Sequence, residues 1–185
     1  MPREPATLVL SGKMSYHANI AMALHLVQNI MPEVWATRAD VKVNIVGKDP
    51  PAIIQALAQL PNVHVTGTVP DLRLYLQQAT LAMAPITYGA GIQNKILEAM
   101  ACATPVITTP KAIAGLQVIP HENILIAQDA NSFASQIISL LDSPARQRQI
   151  GTAGRTYVEK FHHWREMASQ LSHIYTQVIR NELWT

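Results

Sequence analysis

The chain has 185 residues, 49% of them apolar and 14% charged, which is ample for a sizeable core and excludes a disordered tail. Fourteen Lys and Arg against twelve Asp and Glu leave a formal charge of +2, too even a balance for a protein that coats nucleic-acid phosphates. The single cysteine, Cys102, excludes an internal disulfide, the opening residues carry no apolar signal core, and no run of about 18 apolar residues follows. A globular cytoplasmic chain is expected.

Short apolar β-type runs recur at 7–11, 41–46, 63–66, 80–84, 106–109 and 124–127, each closed by a turn residue. Helical patterns lie between them, at 19–31, 51–60, 71–79, 91–102 and 131–142. This alternation predicts an α/β chain, a Rossmann-like doubly wound sheet of about six parallel strands with helices on both faces. After Asp142 the pattern changes. Ser143-Pro144 opens a helix to about Phe161, with Gly151 and Gly154 inside it. His162-His163 then leads into a last helix from Trp164 to about Arg180, with Met167, Leu171, Ile174, Tyr175 and Val178 on one stripe. We read one domain over 1–142 and two C-terminal helices, 143–185, packed on it.

In a doubly wound sheet, ligands bind beyond the carboxyl ends of the strands. Gly12, Gly47, Gly67, Gly89 and Gly91 all follow strand candidates on that edge; Gly47 reads as a plain strand-ending turn. Most informative is 84–101, where a strand ends, a loop carries Gly89-Ala90-Gly91 and a helix begins. Glycines let backbone N–H groups approach a ligand, and a helix N-terminus adds free donors and a positive dipole end. That outlines a phosphate site, to which Lys95 adds a full charge. At about 100° per residue, Gly91, Asn94, Lys95, Glu98 and Cys102 share one side, and Ile92, Ile96, Met100 and Ala103 the other. A carboxylate one turn from the phosphate end suits ribose hydroxyls. The same spacing also fits a solvated Lys95–Glu98 pair.

At the first strand–helix junction, Gly12 permits a tight turn, Lys13 projects from it, and Asn19 reads as the N-cap of a helix starting near Ile20. No Asp-x-Asp pair exists, and the seven histidines lack metal-ligand spacing, so no metal is expected.

The run 94–109, Asn-Lys-Ile-Leu-Glu-Ala-Met-Ala-Cys-Ala-Thr-Pro-Val-Ile-Thr-Thr, resembles the signature of GT-B glycosyltransferases of the large retaining family 4 (glycosyl transferase group 1). Gly12-Lys13-Met14 falls where that family has a glycine–basic phosphate loop, and Gly67-Thr68-Val69 resembles the segment framing the base. The resemblance implies that Glu98 binds the donor ribose, and that Gly91 and Ile92 offer backbone N–H groups to sugar or phosphate. Lys13 and Lys95 would stabilise the diphosphate leaving group, and Val69 would meet the base, with Gly67 allowing close approach. Gly12, Gly89, Ala90 and Asn94 complete the implied donor-binding set. Three positions depart from the family: Ala90 stands at its first glutamate, Ala18-Asn19 where a lysine is usual, and Ala103 where a glycine precedes the proline–valine strand. In this Asn-Lys-x-Leu-Glu form, Lys95 is expected to replace the missing lysine.

By resemblance the chain is the donor-binding half of a hexosyltransferase that moves sugar from a UDP- or GDP-sugar to a polysaccharide or glycolipid. No cofactor is implied. An N-terminal acceptor-binding domain is the implied partner and nucleic acid is not; the chain is expected in the cytoplasm, with peripheral association of the parent enzyme at the inner membrane face left open. Two other readings remain open: a nucleotide-sugar 2-epimerase of the same fold, and a non-catalytic domain binding nucleotide or a partner.

Overall fold

The computed structural model describes residues 3–88 and 91–179. Gly89, Ala90, the side chain of Met167 and the expected helix end at Arg180 lie outside the described residues. Six strands form one sheet: β1 (Thr7–Ser11), β2 (Lys42–Val46), β3 (Val63–Val65), β4 (Leu81–Ala84), β5 (Val106–Thr108) and β6 (Leu125–Ile126). Their order is β3-β2-β1-β4-β5-β6 and every pairing is parallel. The chain therefore reverses its direction of growth between β1 and β4, which makes their junction the topological switch point.

All of β1 and β4 is buried, as strands covered on both faces require. On one face lie α1 (His17–His25), α2 (Met31–Thr37) and α6 (Ala130–Leu141); on the other, α4 (Leu72–Gln78), α5 (Asn94–Ala101) and α7 (Pro144–Phe161). A short α3 (Ala52–Gln55) precedes β3, and α8 (Trp164–Ile179) ends the described chain. Leu8, Leu10, Met22, Ile45, Leu81 and Phe133 are fully enclosed between these layers.

Local sequence explains two of the helix starts. Asp71 caps α4 by accepting from the Arg73 N–H at 2.9 Å, and Asp129 with Ser132 forms a reciprocal capping box on α6. The helix expected at 19–31 starts earlier and runs further. Between α1 and α2 lies a π-helical turn, Leu26–Ile30, in which the Met31 N–H reaches back to Leu26 O. Pro32 lacks an N–H and its ring would press on the carbonyl four residues back; the wider turn lets the helix continue past it. Asn19 is thereby corrected. It sits inside the first turn of α1, with Tyr16 at the N-cap position.

The far edge of the sheet is tied by Arg3. Its guanidinium donates to carbonyls of Leu76, Gln77 and Ala79 at the end of α4 and of Cys102 and Ala103 after α5, and to Thr104 Oγ1. Burial disfavours its charged form and holds its pKa below the usual guanidinium value, against a smaller opposing pull from Cys102. The end of α5 is a Schellman turn: Thr104 N–H binds Ala99 O, Ala103 N–H binds Met100 O, and Ala103 has a φ of +53°. Against this turn lies α7, where a Cβ on Gly151 would stand 2.2 Å from Ala103 O.

The apolar stripe of α8 is uncovered by any described residue: Leu171, Ile174, Tyr175 and Val178 are each at least 42% exposed.

Candidate functional site

Three loops at the carboxyl edge are stitched into a ledge by backbone bonds. The Gly12 N–H donates to Val46 O, Gly47 N–H to Gly67 O, and Met14 N–H to Lys48 O. A Cβ on Gly47 would lie 1.7 Å from Gly12 O, so two backbones touch where any side chain would part them. The plain-turn reading of Gly47 is thus too weak: it locks the β1 and β2 loops together. Around Gly67 a Cβ would meet nothing within 4 Å; its glycine is called for by a φ of +68°, not by close approach.

Over this ledge is a cavity of about 310 Å³ bordered by Gly12, Lys13, Gly47, Lys48, Val69 and Glu98. The structure therefore gathers Gly12, Lys13, Val69 and Glu98, expected together from the sequence, and adds Gly47 and Lys48. Lys48 carried a usable signal, since it follows a strand by two residues on the edge that holds Lys13.

The expected helix at 91–102 begins only at Asn94, with Gln93 as N-cap. Gly91, with a φ of +80°, and Ile92 belong to the preceding loop. Ile92 is 53% exposed, so its expected place on the buried side of the helix is corrected; the loop carries it outward. Ile96, Ala99 and Met100 form the buried stripe of α5, leaving Asn94 and Glu98 exposed.

Lys95 turns to the switch point. Its Nζ donates to Asn19 Oδ1, while Asn19 Nδ2 donates to Lys13 O at 2.9 Å. Asn19 is buried and joins the β1–α1 loop to α5. Burial pushes the Lys95 ammonium below the usual lysine range, against a smaller opposing pull from Glu98. No carboxylate touches it among the described residues. A polar cavity of about 160 Å³ lies here, walled by Tyr16, Asn19, Tyr88, Ile92, Gln93 and Lys95.

Lys13 and Lys95 thus border two neighbouring cavities bridged by Asn19, not one. A third, of about 440 Å³, separates α5 from α7 and is edged by Asn94, Leu97, Glu98, Val158 and His162. Sequence reasoning also missed an aromatic contact at the rim: His17 Nδ1 lies 3.0 Å from Tyr88 Oη, with the rings stacked at 5.4 Å and 7°. Among the described residues, no three His, Cys, Asp or Glu side chains group to hold a metal, and no helix is long and apolar enough to cross a membrane.

The parallel 3-2-1-4-5-6 sheet, with helices on both faces and a half-buried ammonium at its switch point, places the chain in the doubly wound, Rossmann-like α/β class. The family model for glycosyl transferases group 1 matches residues 5–143, and the chain belongs to that family. It is 32% identical over 156 residues to the GDP-mannose-dependent monoacylated alpha-(1-6)-phosphatidylinositol monomannoside mannosyltransferase of Corynebacterium glutamicum, a match covering 78% of this chain and 41% of that protein. It is 33% identical over 118 residues to the alpha-maltose-1-phosphate synthase of Mycolicibacterium smegmatis, covering 58% of this chain and 30% of the relative. Both matches leave more than half of the relative's length outside this chain.

Solved structures agree on the fold. Sucrose-phosphate synthase from Thermosynechococcus elongatus superposes with a TM-score of 0.74 at 26% identity, over 96% of this chain and 46% of its own. HepE of Anabaena, solved in complex with UDP and glucose, gives 0.77 at 14% identity, over 93% and 48%. The expected half of a GT-B fold is what the chain forms.

Proposed function

We propose that this chain is the donor-binding half of a retaining, metal-independent glycosyltransferase that takes its sugar from a UDP- or GDP-sugar. The observation that carries the reading is the half-buried Lys95 ammonium, held on Asn19 at the switch point without a carboxylate against it. A cation placed there is poised for an anion. It also supports the expected exchange of charge: Asn19 stands where the family has a lysine, and Lys95 brings its charge to that same amide.

As the sugar–oxygen bond breaks, negative charge grows on the diphosphate. Lys95, Lys13 and the N–H groups around Gly91 and the start of α5 stabilise it. Preorganised contacts of this kind are each worth about 3–4 kcal/mol of barrier. Glu98 takes the ribose hydroxyls, and Val69 lies along the base. The acceptor, a polysaccharide or glycolipid, meets the donor across a cleft whose other wall is an N-terminal domain. The matches to GDP-mannose- and UDP-related proteins support a nucleotide-sugar donor.

A thermal-shift panel with UDP, GDP, ADP and their nucleosides, with and without EDTA, tests this. Ligand at a hundred times its dissociation constant contributes about 2.7 kcal/mol, on the order of 5–10 °C for a chain of this size. One diphosphate is expected to raise Tm regardless of EDTA, with the shift lost in Glu98→Ala. In Lys95→Ala the diphosphate weakens and the nucleoside does not; equal losses for both would sink the assignment of Lys95.

A further inference from the structure

We infer that Tyr88 is a ligand-facing hydroxyl of this site and that His17 is the residue that positions it. The inference rests on the donor-binding reading above. Tyr88 belongs to the loop between β4 and α5, and its side chain walls the same polar cavity as Lys95, Asn19 and Gln93. His17 opens the first turn of α1, across the switch point. The two rings stack nearly parallel, and His17 Nδ1 lies within hydrogen-bond distance of Tyr88 Oη. Tyr16 tilts against His17 at 4.5 Å and also lines the cavity. This aromatic group joins the β1–α1 junction to the β4–α5 loop.

The chemistry follows from the tautomer. With its proton on Nδ1, His17 donates to the tyrosine oxygen, and the Tyr88 hydroxyl hydrogen is free to turn into the cavity. An anion beside Lys95 favours that arrangement, because it gains a second donor next to the ammonium. Stacking fixes the ring plane, so the hydroxyl is aimed before the ligand arrives. The class of ligand is the diphosphate end of a nucleotide sugar, and not the nucleoside.

Titration calorimetry of the whole chain with UDP, GDP, uridine and guanosine provides the test. Tyr88→Phe keeps the stack and removes the hydroxyl; His17→Phe keeps the stack and removes the positioning hydrogen bond. Each is expected to weaken the preferred nucleoside diphosphate by about tenfold, the usual effect of one hydrogen bond to a charged group, with the nucleoside unchanged. The double variant is expected to lose no more than Tyr88→Phe alone, because His17 acts only through that hydroxyl. His17→Asn, which restores a donor, recovers part of the loss. Undiminished diphosphate binding in Tyr88→Phe overturns the inference, and so do additive losses or losses shared by the nucleoside. Lys95→Ala separates the two levels. If it weakens the diphosphate and the aromatic variants do not, the present inference alone fails; if it has no effect, the donor-site reading fails with it.

Discussion

Lys95 is the residue whose environment says most, and its titration gives a prediction with a definite sign. Burial disfavours the charged ammonium, so the side chain loses its proton at a lower pH than an exposed lysine. Diphosphate affinity is therefore expected to fall as pH rises through that lowered value, before exposed lysines titrate. Nucleoside affinity stays flat across the same window. Calorimetry in buffers of different ionisation enthalpy detects the proton taken up when the anion restores the charge. For folding, the sign is the reverse of a salt-bridged lysine. The lowered value makes the folded state bind fewer protons than the unfolded chain, so this contribution improves as pH climbs from the folded value to the ordinary one. Ala103 offers a second test. Its φ of +53° costs an L-residue about 1 kcal/mol, and Ala103→Gly is expected to stabilise the chain by that amount in urea unfolding. The opposite holds at Gly47, where Gly47→Ala must separate the β1 and β2 loops and destabilise both fold and site.

At the scale of elements, the tightest constraint is α7 on the turn after α5. Gly151→Ala is expected to cost about 2–3 kcal/mol in denaturant unfolding, because the new methyl meets a carbonyl already held by Arg3. Arg3→Ala leaves the carbonyls after α4 and α5 without that donor, and a loss of about 2 kcal/mol is expected by the same measurement. These contacts also mark the limit of what was legible beforehand. Every strand and most helices announced themselves through apolar runs and turn residues, because burial on both faces leaves little choice of residue. Helix spacing and the resemblance of 94–109 to the family signature point to Lys95 and Glu98. What stayed hidden was geometry between distant segments. Asn19 looked like a cap because only its neighbours in sequence were visible; its partner is 76 residues away. The contact of Gly47 with Gly12 and that of His17 with Tyr88 are likewise products of topology. The helix expected at 19–31 runs on to Thr37 because a π turn accommodates Pro32, a residue that ordinarily ends a helix.

For the whole molecule, the exposed stripe of α8 is the feature a solitary domain would not be expected to carry. Under the proposed reading an N-terminal acceptor-binding domain stands across the cleft, and that domain would cover the stripe. Supplying that domain as a separate chain is expected to raise Tm, and replacing Leu171 and Ile174 by Lys is expected to weaken the association while leaving nucleotide binding intact. Arg3 has a consequence of a more practical kind. It pins the residues before β1 to the edge of the sheet opposite the ledge, and β1 is five residues long, so roughly 17 Å of strand separate the two ends. A fluorophore or surface tether attached at the exposed Glu4, next to Arg3, is thus held at the end of the strand away from the crevice. Immobilised at that position, the molecule presents the proposed donor-binding edge outward, the orientation a nucleotide-sugar sensor would need.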